Sequence, residues 1–199
     1  MSTALASGFR DAAHDAQKVF RVLMDALARP TTVQPLALDL IPPAPLTPEL
    51  ASIALALADQ DAPLWLDETL GSEPAVAQWL GFHTGAPVVS DPAEAAFALV
   101  RDPRALPPLD AFALGTEEFP DRSTTVVLAV ESLEGGTALR VEGPGLPRPG
   151  TLSPTPLPDE FIDTLRDNRT LFPRGVDFIF AAPGALAALP RSSRLTEEA

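Results

Sequence analysis

Residues 123–143 read STTVVLAVESLEGGTALRVEG, and the reading of this stretch sets the fold class. Two runs rich in β-branched and aliphatic residues flank Gly135-Gly136, the pattern of a β-hairpin. Downstream, VDFIFAA (176–182) is a short unbroken apolar run, as in a strand buried on both faces. Upstream, APLWLD (62–67) has the same brevity and character. Strands of this kind must be covered, so the segments between them should supply helices.

They do. In HDAQKVFRVLMDALARP (14–30) and the residues just before it, a helical projection at ~100° per residue places Ala12, Ala16, Val19, Phe20, Leu23 and Leu27 on one broad face. His14, Lys18, Arg21 and Asp25 fall on the opposite face, and Pro30 ends the helix. TPELASIALALAD (47–59) opens with Thr47 as N-cap and Pro48 at the first helical position. SEPAVAQWL (72–80) reads as a helix capped by Ser72. PDEFIDTLRDNRTLF (158–172) reads as one that turns Phe161, Ile162, Leu165 and Leu171 inward and stops at Pro173-Arg174-Gly175. TTVQPLAL (31–38) is an edge strand, because Pro35 interrupts it. FHTGAPVV (82–89) leads through a turn into another apolar segment. Asp91, Pro92 and Glu94 resemble a capping box, and AAFALV (95–100) fits helix or strand equally. Six prolines between Gly143 and Pro158 imply an extended, ordered loop. GALAALPRSSRL (184–195) reads as a short helix or turn followed by an extended piece. Alternating helices and strands, without a repeat or a linker, predict one domain over 1–199: a three-layer α/β/α architecture around a mixed sheet.

Composition narrows the partners. A formal charge of −13 repels nucleic acid and anionic lipid, so a phosphate-bearing ligand would need a local arginine cluster. No apolar run approaches the roughly 20 residues of a membrane span. The opening MSTALASGFRDAAHDAQ lacks the basic start and apolar stretch of a secretory signal. With no cysteine there are no disulfides or thiolate metal sites, which suits the cytoplasm. Lys18 is the single lysine, so Schiff-base chemistry could come from nowhere else.

Candidate chemistry is sparse. His14 and Lys18 sit beside Arg21 and Asp25 on the polar helix face, which reads as solvated or partner-facing rather than catalytic. His83, with Thr84 beside it, stands at the end of an element before a glycine turn, either as a ligand-binding imidazole or as a histidine fixing that turn. One further histidine and no cysteine leave a metal site improbable. EGPGLPRPG (142–150) is no phosphate loop: prolines follow its glycines and offer no N–H, and the Walker lysine is missing. There is no G-x-S-x-G elbow. Arg169 and Arg174 in NRTLFPRG, and Arg191 and Arg194 in PRSSRL, supply forked donors suited to phosphate or phosphonate oxygens, or else surface ion pairs.

Several segments, in order, resemble the PhnH family, a subunit of the bacterial carbon–phosphorus lyase system. They are HDAQKVFRVLMDALARPTTV, LADQDAPLWLD, FHTGAPVV, TTVVLAVESLEGGTALRVEGPGL, LFPRGVDFIF and LPRSSRL. Residues 101–123 fit least and look like variable connecting sequence. The resemblance implies a fold related to the large domain of pyridoxal-phosphate-dependent transferases, without that cofactor. It implies a homodimer and assembly with the G, I, J and K subunits. It also implies a part in making ribose 1-phosphonate 5-triphosphate from ATP and an alkylphosphonate, while the carbon–phosphorus bond is broken by the J subunit. His83 and Thr84 match the family's FHT and Arg191 its LPR, but no catalytic role comes with them. The expectation is a cytoplasmic, cofactor-free subunit that shapes a partner's active site and is not catalytic alone. The rival is a stand-alone nucleotide- or phosphonate-binding enzyme that uses His83 and the C-terminal arginines.

Overall fold

A computed structural model describes residues 6–37 and 39–196. The opening residues that bear on a leader, and Leu38 at the end of the predicted first strand, lie outside them. In chain order the elements are α1 (Ala12–Ala28), β1 (Gln34–Pro35), α2 (Pro48–Leu57), β2 (Leu64–Leu66), α3 (Glu68–Gly71), α4 (Pro74–Thr84), β3 (Val88–Val89) and β4 (Phe97–Val100). There follow β5 (Thr125–Ala129), β6 (Leu139–Glu142), β7 (Gly150–Leu152), α5 (Phe161–Thr170), β8 (Asp177–Ala182), β9 (Ala185–Leu189) and β10 (Arg194–Leu195).

Seven strands form one mixed sheet in the order β1-β9-β8-β5-β4-β2-β3, and β10-β6-β7 form a second, smaller sheet. In the large sheet β3, β2, β4, β5 and β8 run parallel, and β9 and β1 add antiparallel pairings at one side. Strand alternation sends side chains to two cores. Leu64, Leu66, Leu99, Val127 and Ile179 meet α1, α2 and α4 on one face. Ala98, Val100, Val126, Leu128, Phe178 and Phe180 meet α5 and the small sheet on the other. The expected three-layer mixed-sheet architecture is present, with one outer layer part helix and part sheet.

Local signals explain most elements. Thr47 Oγ1 accepts from the Leu50 N–H at 3.2 Å and caps α2, and Pro48 occupies its first turn. Gly85, at φ +75°, closes α4 in the left-handed conformation that glycine adopts without strain. Pro35 lies in an edge strand. AAFALV resolves into strand β4, preceded by a single 3-10 turn that Asp91 caps.

Four local readings are corrected. The chain around Gly135-Gly136 is no hairpin: β5 already has β4 on one side and β8 on the other, so β6 cannot pair with it. The chain instead turns away and β6 joins β7 and β10. Ser72 closes α3 rather than opening α4, whose N-cap is Glu73 without a side-chain bond. GALAAL is strand β9 rather than a helix; Pro183-Gly184, with Gly184 at φ +71°, folds it back onto β8. Phe20 does not reach the core; it lies 45% exposed, while Val19, Leu23 and Ala26 carry the buried face of α1.

Candidate functional site

The predicted site residues do not converge on one site, although Arg191 and Arg194 line the same small pocket between α5 and β10. His83 ends α4, whose Trp79 and Leu80 pack into the core on one sheet face. Arg169 ends α5, whose Phe161 and Leu165 pack on the opposite face.

His83 is occupied locally. Its Nε2 lies 3.0 Å from the Ala6 carbonyl, which also accepts from Trp79 Nε1 at 2.8 Å. The ring leans on Trp79 and Phe82, and Gly8 presses so close that a Cβ there would stand 2.8 Å from Nδ1. His83 and Trp79 together hold the segment that precedes α1. Thr84 Oγ1 donates to the Leu80 carbonyl at 2.7 Å and accepts from the Ala86 N–H, so it binds the end of its own helix.

Arg191 is equally committed. Its Nη2 and Nε donate to the two carboxylate oxygens of Asp177, and Nη1 donates to the Pro120 and Gly175 carbonyls. The Asp177 carboxylate also accepts the Arg191 backbone N–H at 2.8 Å. The two side chains are only 16% and 18% exposed. This knot ties the start of β8 to the end of β9. Arg194 pairs with Glu142 at 2.7 Å on the surface of the small sheet. Arg169 lies over the Phe172 ring with a buried Nη1 that has no hydrogen-bond partner among the described residues. Arg174 is half-buried in the turn before β8.

On α1, His14, Lys18, Arg21 and Asp25 are exposed. Lys18 reaches Asp15 at 3.4 Å. The Asp15 carboxyl is held below the ordinary carboxylate range, first by the Asp11 backbone N–H; desolvation opposes this, and Lys18 adds to the lowering.

The sheet itself points elsewhere. From β2 the chain crosses to β3 on one side, then returns over β2 to β4 and continues to β5 and β8 on the other side. In open α/β sheets such a reversal leaves a crevice at the carboxyl ends of the strands, where ligands bind. Here the reversal falls between β2 and β4. A cleft of about 340 Å³ opens there, lined by Pro45, Thr69, Arg101, Asp102, Pro103, Arg104, Ala129, Glu131 and Pro156. A groove of about 620 Å³ adjoins it, shares Arg104 and Pro156, and runs past Gly136 and Asp159.

The cleft wall is fixed by Asp67, which follows β2 and is 2% exposed. One of its carboxylate oxygens accepts the Leu70 N–H at 3.0 Å; the other accepts the Arg101 and Asp102 N–H groups at 2.8 and 2.9 Å. Asp102 in turn accepts the Arg104 N–H at 3.1 Å. The backbone bearing both arginines is therefore tied down before any ligand arrives. Among the described residues, neither arginine side chain forms an ion pair or a hydrogen bond within the protein. Sequence reasoning passed over them because RDPRALPP resembles connecting sequence. The available signal was position: Arg101 directly follows a buried strand.

Fold and cleft together define an open, mixed α/β protein whose switch-point crevice offers cationic forks, carboxylates and a hydroxyl rather than an assembled nucleophile and base. The chain belongs to the PhnH family: the model of the bacterial phosphonate metabolism protein (PhnH) matches residues 7–196. It is 45% identical over 190 residues to the alpha-D-ribose 1-methylphosphonate 5-triphosphate synthase subunit PhnH of Rhizobium meliloti (strain 1021), covering 96% of this chain and 94% of that one.

Proposed function

We propose that this chain is a subunit of a ribose 1-methylphosphonate 5-triphosphate synthase, supporting the formation of that product from ATP and an alkylphosphonate in phosphonate catabolism. The observation that carries the reading is the near full-length identity to a protein named as that subunit. The scatter of His83, Arg169, Arg174, Arg191 and Arg194, with most of them engaged inside the protein, favours a contribution through shape and surface over solitary catalysis. In this reading the protein forms a homodimer in the cytoplasm, needs no pyridoxal phosphate, and assembles with the G, I, J and K subunits. No helix among the described residues is long and apolar enough to cross a membrane.

The polar face of α1 supplies a partner surface. His14, Lys18, Arg21 and Asp25 stand in solvent, and Phe20 and Met24, 45% and 49% exposed, lie on the same helix one turn apart. Exposed aromatic and thioether groups beside a charged rim have the composition of a protein interface. Co-expression with the other subunits followed by gentle affinity purification tests the assignment. The chain is expected in a complex of fixed stoichiometry, whereas a chain that elutes alone would refute it.

A further inference from the structure

We propose that the crevice at the carboxyl ends of β2, β4 and β5 binds a phosphorylated or phosphonylated sugar. Arg101 and Arg104 grip the anionic group, and Glu131 and Asp102 accept from the sugar hydroxyls.

The charge pattern carries the argument. In a chain with 27 acidic and 14 basic residues, six of the fourteen cations pair with a carboxylate among the described residues. The six are Arg10, Lys18, Arg29, Arg166, Arg191 and Arg194. Arg101 and Arg104 line one cleft and pair with nothing among the described residues, although Asp102 and Glu131 line the same space. Two guanidinium groups three residues apart, without partners among the described residues, stand on backbone anchored by the buried Asp67 and keep their donors available to a ligand. Their forked geometry matches the oxygens of a phosphoryl or phosphonyl group.

The carboxylates decide what else the ligand carries. A bare anion entering this cleft meets repulsion from Asp102, from Glu131 and from a protein of net charge −13. A ligand that turns hydroxyls toward those carboxylates converts the repulsion into hydrogen bonds, and the Thr69 side chain on the same wall adds a neutral partner. The volume, about 340 Å³, falls within the ordinary range for small-ligand pockets. The adjoining groove leaves room for a longer phosphate chain to extend past Arg104. That the sugar is a ribose rests on the function proposed above; the anion-and-hydroxyl chemistry rests on the cleft alone.

Titration calorimetry of the purified full chain with ribose 5-phosphate, methylphosphonate and tripolyphosphate tests the assignment. Ribose 5-phosphate is expected to bind saturably and more tightly than either bare anion. The double substitution Arg101→Ala/Arg104→Ala should weaken it by about tenfold or more at an unchanged melting temperature. Glu131→Gln should weaken ribose 5-phosphate and leave or improve the bare anions. No binding of ribose 5-phosphate, or binding indifferent to the arginine pair, overturns the site. Equal affinity for tripolyphosphate, with no effect of Glu131→Gln, overturns the sugar assignment. Subunit co-purification is read separately, so a failed titration with an intact complex sinks this inference and leaves the proposed function standing.

Discussion

At the residue scale, two charged side chains that could be mistaken for site chemistry are ties in the scaffold. Arg191 spends its guanidinium on Asp177, Pro120 and Gly175, so Arg191→Ala strands a mostly buried carboxylate and two carbonyls. The variant is expected to lose about 2–4 kcal/mol of stability, read from its urea midpoint, while ribose 5-phosphate affinity stays unchanged. Asp67 shows the same logic nearer the crevice. Asp67→Ala leaves one buried and two half-buried N–H groups without their acceptor and should cost about 2–4 kcal/mol. Because it also releases the Arg101 backbone, it should weaken sugar-phosphate binding, which Arg191→Ala does not. A family motif had drawn attention to Arg191, whereas Arg101 and Arg104 sat in the stretch that matched least. The residue types needed for anion binding were legible in the sequence. Which of thirteen arginines were free was not, because that depends on partners up to 71 positions away, as Pro120 is from Arg191.

At the element scale, local chemistry spoke clearly and pairing did not. The Thr47 cap, the Pro30 and Pro35 breaks and the buried runs of β2 and β8 were all readable, since each depends on neighbours within a turn. The hairpin misreading has a different cause: two strand-like runs around a double glycine say nothing about whether the first strand still has an open edge. β9 was hidden by its alanines, good helix formers that become strand only because the edge of β8 is open to them. Gly136 marks the real event. A Cβ there would stand 2.2 Å from the Pro154 carbonyl oxygen, which is backbone and cannot swing aside. Gly136→Ala should therefore destabilise by about 1–3 kcal/mol. Hydrogen-exchange protection is expected to fall in residues 131–137 and 153–155 before it falls in β5, and uniform loss would contradict that assignment.

At the scale of the whole molecule, the three layers split their duties. One face of the sheet packs α1, α2 and α4, leaving the outer side of α1 to solvent; the crevice opens at the carboxyl edge. Lys18→Glu/Arg21→Glu should lower recovery of the other subunits in co-purification and leave the melting temperature within a degree or two, since neither side chain is buried. Loss of fold instead of loss of partners would reassign that face. The pairing of β1 with β9 bears on how the protein is made. Residues 34–35 find their strand partner only at 185–186, and α1 rests on the same late strand. On the ribosome, therefore, α2 is there to cover part of the first helix early, but the side that rests on β9 stays uncovered until almost two hundred codons have been read. A chain stalled before that point would leave that strip of apolar surface in the open, and nascent-chain crosslinking should find chaperones there.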